Sequence, residues 1–343
     1  MIRHIEPHQF LKLSSREVVI DVRSPGEFMQ GHVPGAVNIP LFDDQERGVV
    51  GTLYVQSGKD NAILKGLDIA LPKTDLFIEA IQKTGRSRAE IMVHCWRGGL
   101  RSTLMAEVFS KAGYDVSLVT GGYKAFRHCV REGLASPARI MVLGGFTGSG
   151  KTDLLKVIAS RGEQVLDLEE LASHKGSVFG ALGQPAQPTN EQFENNLYAR
   201  WAELDHSRVI WMEDESRMIG RVTLPDPVVS HLANGTMISV DLNLDSRVSR
   251  LVKEYAGFDK QLLRDAVLRI GDRLGGARAQ EAIASIDGER FDEVAFITLS
   301  YYDKAYLFSV NRRKNQNVHP VTISGEDIEA DASKIIDFAY KCL

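Results

Sequence analysis

The first third of the chain alternates short apolar runs with stretches of helical pattern. The apolar runs, each too short for a helix, predict buried β-strands at residues 18–22, 37–39, 90–93 and 116–118. Between them, residues 75–84 form an amphipathic helical pattern, and residues 24–27 (Ser-Pro-Gly-Glu) begin another helix. Strands that alternate with helices in this way predict a parallel sheet covered by helices on both faces.

The same alternation starts again after a stretch of small residues at 133–138, where we place a domain boundary. Strands are predicted at 139–143, 209–216 and 237–242, and a helix at 153–159. From residue 246 to residue 285 the pattern is helical throughout. The chain is therefore predicted to be an α/β protein of two domains, residues 1–135 and 136–343. Each has a parallel sheet flanked by helices, and the C-terminal part is helical.

Composition narrows the class of protein. A length of 343 residues suits two domains of ordinary size, and no apolar run is long enough to span a bilayer. We expect no membrane association and no signal peptide. The three cysteines have neither paired nor metal-ligand spacing, which is typical of a reducing cytoplasm. Because the net charge is −4, any nucleic-acid site must be a local patch rather than a generally basic surface.

A cysteine-containing loop with two glycines and two arginines, residues 94–102, joins the strand at 90–93 to a helix that we expect to open at Ser102. Such a loop directs backbone N–H groups at one point, and the helix dipole adds positive charge there. The thiol of Cys95 should therefore ionise more readily than a free thiol. A buried structural cysteine is the alternative, although that role needs neither the glycines nor the arginines. The catalytic candidates are Cys95, Arg97 and Arg101, and the anion-loop candidates are Trp96, Gly98, Gly99 and Ser102.

Three polar residues near the first strand have simpler interpretations. Asp21 and Arg23 can form an ion pair or belong to the site, and we favour the ion pair. His32 is interpreted as a turn residue rather than a ligand, because no partner with ligand spacing surrounds it.

Residues 5–130 resemble the rhodanese sulfurtransferase domain. The shared motifs are Asp21-Val22-Arg23 with Glu27, Gly31-His32, Pro34-Gly35-Ala36, Asn38-Ile39-Pro40, the Cys95 loop and Gly121-Gly122. In that family the loop cysteine carries a persulfide sulfur held by backbone N–H groups, and Cys95 lies at the matching position. This loop departs from the usual one in having Trp96 after the cysteine and two adjacent glycines.

Residues 145–152 (Gly-Phe-Thr-Gly-Ser-Gly-Lys-Thr) match the phosphate-loop pattern in full, between a predicted strand and a predicted helix. The glycines let backbone N–H groups surround an oligophosphate, the lysine contacts its terminal oxygens, and the threonine hydroxyl binds Mg²⁺. A glycine-rich turn without a ligand is the alternative that this full match argues against. The phosphate-binding candidates are Gly145, Gly148, Ser149, Gly150, Lys151 and Thr152.

The strand at 209–216 ends in three acids, Glu213, Asp214 and Glu215. A strand beside a phosphate loop usually supplies the carboxylate that holds the Mg²⁺ water shell. Asp214 or Glu213 is the candidate, and we take Asp214 with Thr152 as the working Mg²⁺ site. Solvated surface acids are the alternative.

Two loop-like stretches and a basic region leave their roles open. Residues 174–180 and 187–194 can cap the phosphate site, hold an organic tail or form plain surface loops. Interleaved acids make most of the basic residues in 246–285 part of a solvated face, and a minority remain for contacts with polynucleotide phosphates. These basic residues are Arg247, Arg250, Lys253, Arg264, Arg269, Arg273 and Arg278. A further basic cluster occupies residues 311–315.

A rhodanese-like domain followed by a phosphate-loop domain resembles, from end to end, the bacterial tRNA 2-selenouridine synthase family. The resemblance rests on residues 94–102, 144–152, 174–177 and 213–216. It implies replacement of sulfur by selenium at the wobble 2-thiouridine of tRNA, through an S-geranylated intermediate. Geranyl diphosphate and selenophosphate are the implied substrates, the tRNA anticodon arm and a selenophosphate synthase the implied partners.

Two other functions remain open. In an ATP-dependent rhodanese-type tRNA sulfurtransferase, the phosphate loop would bind ATP while Cys95 delivers persulfide sulfur. In a nucleotide-regulated binding module, the rhodanese domain would be vestigial. Turnover of Mg-ATP would favour the first, and nucleotide binding without turnover or need for Cys95 would favour the second.

Overall fold

The computed structural model describes residues 1–14, 16–84, 90–312 and 317–342. The chain divides into two compact units. The first comprises Met1–Leu134 together with Glu194–Ala199, and the second comprises Ala135–Phe193 and Arg200–Leu343. The main division falls in the stretch of small residues at 133–138. No sequence pattern indicated that Glu194–Ala199 groups with the first unit.

The first unit is a parallel α/β structure. Its described strands are β1 (Ile2–Ile5), β2 (Val18–Asp21), β3 (Val37–Asn38), β4 (Glu90–His94) and β5 (Asp115–Val119). Its described helices are α1 (Pro7–Leu13), α2 (Pro25–Gln30), α3 (Asp44–Ser57), α4 (Lys59–Ala70), α5 (Thr74–Gln82), α6 (Leu100–Lys111) and α7 (Gly122–Gly133), with a 3₁₀ turn at Leu71–Lys73. The strands lie in the order β1-β5-β4-β2-β3, all parallel.

Strand β4 lies at the centre of this sheet because its residues from Ile91 to His94 are buried on both faces. In the register with β2, Asp21 lies opposite His94. Helix α2 begins as predicted, with a reciprocal capping box between Ser24 and Glu27. Helix α6 begins at Leu100, two residues before the predicted start at Ser102. The backbone turn at the glycine pair already directs the chain into the helix.

The second unit is also a parallel α/β structure. Its described strands are β6 (Arg139–Gly145), β7 (Gln164–Leu166), β8 (Val209–Glu213), β9 (Met218–Ile219), β10 (Val222–Thr223), β11 (Thr236–Asp241) and β12 (Val318–Thr322). The described helices that follow β6 are α8 (Lys151–Ser160), α9 (Leu168–Ala172), α10 (Asn190–Glu203), α11 (Asp226–Asn234), α12 (Leu244–Tyr255), α13 (Lys260–Arg269), α14 (Gly271–Leu274), α15 (Gly276–Asp287), α16 (Phe291–Arg312) and α17 (Ile328–Lys341).

Strands β12-β11-β6-β8-β7 form a parallel sheet in that order, and β9 pairs with β10 as a short antiparallel hairpin. Helices α12 to α15 confirm the helical pattern at 246–285. The predicted fold class is thus confirmed, with two parallel-sheet regions flanked by helices and a helical C-terminal part.

One loop prediction was wrong and one cluster cannot be compared. Residues 190–194 were predicted as part of a loop but begin α10. The hydroxyl of Thr189 caps this helix by accepting a hydrogen bond from the amide of Gln192. The Thr-x-x-Gln spacing was a readable helix-start signal. Of the basic cluster at 311–315, residues 313–315 and the side chains of 311 and 312 lie outside the described residues.

Within the described ranges, no helix combines the length with the apolar character that crossing a bilayer requires.

Candidate active sites in the two units

Cys95 directly follows β4, at the carboxyl end of the central strand of the first sheet. Its side chain is buried, and its Sγ accepts a hydrogen bond from the Gly99 amide at 3.3 Å. The Ser102 hydroxyl lies 3.3 Å from the same sulfur. Burial alone would raise the pKa of the Cys95 thiol, but the Ser102 hydroxyl, the Gly99 amide and the charge of Arg101 outweigh it and lower the pKa. The Cys95 thiol therefore ionises more readily than an ordinary cysteine thiol.

The loop holding this sulfur is fixed by close backbone packing. The amide of Tyr123 donates to the carbonyl oxygen of Cys95 at 2.9 Å. Gly98 has φ +66°, and a Cβ there would lie only 2.7 Å from the carbonyl oxygen of Val119. Gly122, on the facing turn, has φ +58°. Only glycine permits the close approach of the loop to the facing turn without strain, so Gly98 and Gly122 determine the shape of the loop.

The two candidate arginines have different surroundings. Arg101 donates from Nη1 to Oε2 of Glu27 at 2.6 Å, which fixes its guanidinium near the loop. Arg97 is exposed and forms no hydrogen bond or ion pair within the described residues. Arg101 thus acts on the thiol through a fixed charge, whereas Arg97 is available to an incoming anion.

Behind the loop, Asp21 and Arg23 form the ion pair that the sequence favoured, with Nη2–Oδ2 of 2.6 Å and both side chains buried. Burial would raise the pKa of Asp21, but His94 and Arg23 lower it overall. The Arg23 guanidinium lies 3.7 Å from the ring centre of Tyr123 and 5.9 Å from that of Trp96. This ion pair therefore supports the rings of Tyr123 and Trp96 beside the cysteine loop.

His32 is a turn residue, as interpreted. Its Nδ1 lies 2.9 Å from the carbonyl oxygen of Phe28, and its ring stacks on the Phe28 ring with centres 3.8 Å apart.

The phosphate loop follows β6, the central strand of the second sheet. Gly148 and Gly150 both have φ +81°, a left-handed conformation that turns neighbouring backbone N–H groups toward one side of a loop. The Lys151 ammonium donates to the carbonyl oxygen of Gly145 at 2.9 Å. The Ser149 hydroxyl is buried and has no hydrogen-bond partner among the described residues. The loop thus combines glycine-dependent geometry with an ammonium and an unsatisfied hydroxyl.

A carboxylate cluster that sequence analysis missed in part borders this loop. The Thr152 hydroxyl donates to Oε2 of Glu169 at 2.8 Å, and the Glu169 amide donates to Oε1 of Glu213 at 2.6 Å. Burial, followed by the charge of Glu169, raises the pKa of Glu215 to about 8. Burial and nearby acids also raise the pKa of Glu213 well above its ordinary value. Glu169 lies in α9, three residues after the end of β7, another strand of the same sheet.

The Mg²⁺ assignment to Thr152 and Asp214 stays a prediction. The Asp214 amide donates to the carbonyl oxygen of Leu143 at 3.0 Å and so continues the pairing of β8 with β6. In the described part of the chain, no three His, Cys, Asp or Glu side chains are placed to hold one metal ion. The oxygen donors fit Mg²⁺ held with water and phosphate, since Glu213 Oε2 is buried without a hydrogen-bond partner there.

Several arginines of the helical region are paired with acids. Arg247 makes a bidentate pair with Asp303 at 2.8 Å, and Arg250 pairs with Asp153 of α8. Arg264 pairs with Asp287. Arg247 is buried and so does not belong to the predicted solvated face, whereas the remaining basic residues of the region are exposed or half-buried.

Taken together, the two units define a class of protein in which a rhodanese-like domain with a thiolate loop precedes a phosphate-loop domain. The model of the rhodanese-like domain family matches residues 6–129, and that of the tRNA 2-selenouridine synthase AAA domain matches residues 138–330. The chain belongs to the tRNA 2-selenouridine synthase family.

Curated relatives span nearly the whole chain. A tRNA 2-selenouridine synthase of Nitrosomonas europaea is 32% identical over 351 residues, covering 86% of this chain and 90% of the relative. One of Shewanella frigidimarina is 34% identical over 334 residues, covering 87% and 90%. Among solved structures, a rhodanese-related protein of Thermoplasma volcanium is 19% identical with a TM-score of 0.23, covering 37% of this chain and 91% of that one.

Proposed function

We propose that this protein is a tRNA 2-selenouridine synthase, a transferase that replaces sulfur by selenium at the wobble 2-thiouridine of tRNA. The observation that carries the proposal is that one chain of this family contains two loops suited to holding negative charge. One loop holds the Cys95 thiol with a lowered pKa, and the other has the full phosphate-binding pattern around Lys151. Relatives that match most of the chain bear this name.

The first step we propose is alkylation of the base, assigned to the second unit. The thiocarbonyl sulfur of 2-thiouridine attacks C1 of geranyl diphosphate, the C–O bond breaks, and diphosphate leaves with the electron pair. Loss of the N3 proton gives neutral S-geranyl-2-thiouridine, in which sulfur can leave as a thiol. Lys151 and the N–H groups of residues 145–152 stabilise the charge of the departing diphosphate.

Mg²⁺ bound near Thr152 and the carboxylates of Glu169 and Asp214 or Glu213 would neutralise part of the diphosphate charge. With such a cation near them, the carboxyls of raised pKa would give up their protons. The protein residues then hold the diphosphate while the sulfur approaches the prenyl carbon.

The second step is selenation, assigned to the first unit. Selenium from selenophosphate adds to C2 of the alkylated base, the C–S bond breaks and geranyl thiol leaves. Water takes the phosphoryl group as phosphate, and one proton returns to N3. We assign handling of the selenium donor to the Cys95 thiolate, with Arg97 and Arg101 contributing the positive charge that attracts the anionic donor. A selenophosphate synthase is the partner expected to supply that donor.

The experiment supplies the protein with 2-thiouridine tRNA, geranyl diphosphate, Mg²⁺ and selenophosphate and identifies the nucleosides by mass. Wild type should convert 2-thiouridine to 2-selenouridine and, without selenophosphate, accumulate the S-geranyl nucleoside. Untouched 2-thiouridine with both donors present would overturn the proposal. Conversion that requires ATP instead of geranyl diphosphate would favour a sulfurtransferase-like mechanism.

Two variants test the assignment of alkylation to the second unit and of selenation to the first. Cys95→Ala should lose selenation and keep geranylation, whereas Lys151→Ala should fail at the diphosphate step. Equal loss of both activities in a folded Cys95→Ala protein would refute the assignment. Unchanged affinity of Lys151→Ala for geranyl diphosphate would refute the role of the phosphate loop.

A further inference from the structure

An apolar cavity lies beside the phosphate loop in the second unit. It opens to solvent, and its empty space of about 460 Å³ includes part of that solvent. Thr147 of the phosphate loop lines it, so the cavity and the phosphate loop share a residue. Ser177 and Phe179 line it from the 174–180 loop, the stretch whose role the sequence left open.

The walls of this cavity are hydrocarbon. Helix α12 contributes Val252, the residue after this helix is Ala256, and α16 contributes Val294 and Ala295; all four are buried or half-buried. Phe291 lines it from the first turn of α16. A ligand seated here would therefore gain mainly by removing apolar surface from water.

Two of the polar groups in the walls, the hydroxyls of Tyr302 and Thr298, are already hydrogen-bonded. The Tyr302 hydroxyl accepts a hydrogen bond from the amide of Val178 at 2.9 Å, and burial raises its pKa to about 12, so it stays neutral. The Thr298 hydroxyl donates to the carbonyl oxygen of Val294 at 2.8 Å. A nucleotide base needs polar partners along its edge, and these groups offer few. A saturated or isoprenoid chain needs none.

We infer that this cavity receives the prenyl chain of geranyl diphosphate while residues 145–152 hold its diphosphate. This inference rests on the proposed function and adds to it the site that recognises the hydrocarbon. The occupant must be charged at one end and apolar at the other, because Thr147 belongs both to the phosphate loop and to the cavity wall. A prenyl diphosphate has this form.

The test compares the affinities of geranyl diphosphate and inorganic diphosphate, measured by calorimetry with Mg²⁺ present. Burying the prenyl chain should make geranyl diphosphate bind wild type about a hundredfold or more tighter than inorganic diphosphate. Ala295→Phe, which fills the cavity from α16, should weaken geranyl diphosphate at least about tenfold and leave inorganic diphosphate unchanged. The matched control is Ala305→Phe, at an exposed position of the same helix, which should change neither affinity.

A variant that enlarges the cavity provides a second test, which does not depend on whether Ala295→Phe folds. Phe179→Ala removes a ring from the cavity wall and should shift preference toward the longer farnesyl diphosphate. A gain for the longer chain requires a folded site, and retained affinity for inorganic diphosphate reports an intact phosphate loop in either variant.

The outcomes distinguish a failure of the proposed function from a failure of the cavity assignment. If wild type does not distinguish geranyl diphosphate from inorganic diphosphate, the proposed use of geranyl diphosphate itself fails. If wild type distinguishes them but Ala295→Phe and Phe179→Ala leave the preference unchanged, the cavity assignment is overturned and the function stands. Tight Mg-ATP binding that Ala295→Phe abolishes would overturn it in favour of a nucleotide.

Discussion

Replacing Ser102 by alanine should raise the pKa of the Cys95 thiol by about one unit. The Ser102 hydroxyl lies 3.3 Å from the sulfur and 2.9 Å from the carbonyl oxygen of Gly99. Next to the neutral thiol it can donate to that carbonyl. When the thiol ionises, the hydroxyl can turn and donate to the thiolate instead.

The magnitude follows from this exchange of hydrogen bonds. A hydrogen bond to a charged group contributes about 1.5–3 kcal/mol, whereas the neutral bond given up to Gly99 is worth about 1 kcal/mol. The net stabilisation of the thiolate by Ser102 is therefore about 0.5–2 kcal/mol. At about 1.4 kcal/mol for each pKa unit, its loss corresponds to a rise of about one unit. The Gly99 amide and the Arg101 charge remain, so the pKa should not rise further.

The assay is the rate of alkylation of Cys95 by iodoacetamide as a function of pH. Modification should be followed on the isolated peptide by mass, because Cys129 and Cys342 are free, half-buried thiols. The midpoint for Ser102→Ala should move to higher pH. Thr103→Ala is the matched control, since its hydroxyl is exposed and lies 3.4 Å from the Gly99 carbonyl oxygen. An unchanged midpoint in Ser102→Ala would refute the proposed electrostatics of the loop.

Three further predictions concern the carboxylates and the glycine loop. Burial raises the pKa of Glu215 to about 8, so Mg²⁺ must displace a proton to bind the carboxylate cluster beside the phosphate loop. The affinity of the protein for Mg²⁺ should therefore rise between about pH 6 and 9, and it should rise less in Glu215→Gln. Titration with Mg²⁺ at several pH values checks this, and an affinity of wild type that does not change with pH counts against it. Asp21→Asn leaves the buried charge of Arg23 unpaired and should cost about 3–5 kcal/mol in urea unfolding at neutral pH. Since the folded-state pKa of Asp21 is lowered, its contribution is present above the unfolded pKa and lost as pH falls through the folded value, so the two proteins should converge in acid; a constant difference would contradict this. Gly98→Ala, at φ +66°, should cost about 1–3 kcal/mol and disturb alkylation of Cys95, and an unperturbed variant would show that the loop tolerates a side chain there.

The parts of the fold that sequence patterns predicted are those in which local and tertiary preferences agree. Buried parallel strands have continuous apolar runs, so the strand patterns at 90–93 and 139–143 correspond to β4 and β6. The loop at 145–152 was readable because the phosphate-loop pattern specifies both residue type and spacing. The start of α6 was misplaced by two residues because a glycine pair can end a loop or open a helix.

The parts of the site that sequence reasoning missed depend on contacts between distant segments. Glu169 reaches Thr152 through the positions of β7 and α9, and no local pattern reports that approach. Glu27 fixes Arg101 from 74 residues earlier in the chain. Both are ordinary charged residues in their own segments. Their roles arise only when parallel strands bring the carboxyl ends of separate segments to the same edge of a sheet.

The two sites use one physical device for two different anions. Each loop follows the central strand of a parallel sheet, β4 or β6, at the carboxyl end where flanking strands leave room for a ligand. In each, glycines with positive φ shape the backbone so that N–H groups can face negative charge. In the first unit that charge is the one that the Cys95 sulfur acquires on ionisation; the sulfur is covalently part of the chain, and one amide and one hydroxyl lie within hydrogen-bond distance of it. The second unit is proposed to bind a mobile polyanion, for which Lys151 and the carboxylate cluster beside the loop are suited. This difference is the physical reason for expecting selenium chemistry at the first loop and diphosphate departure at the second.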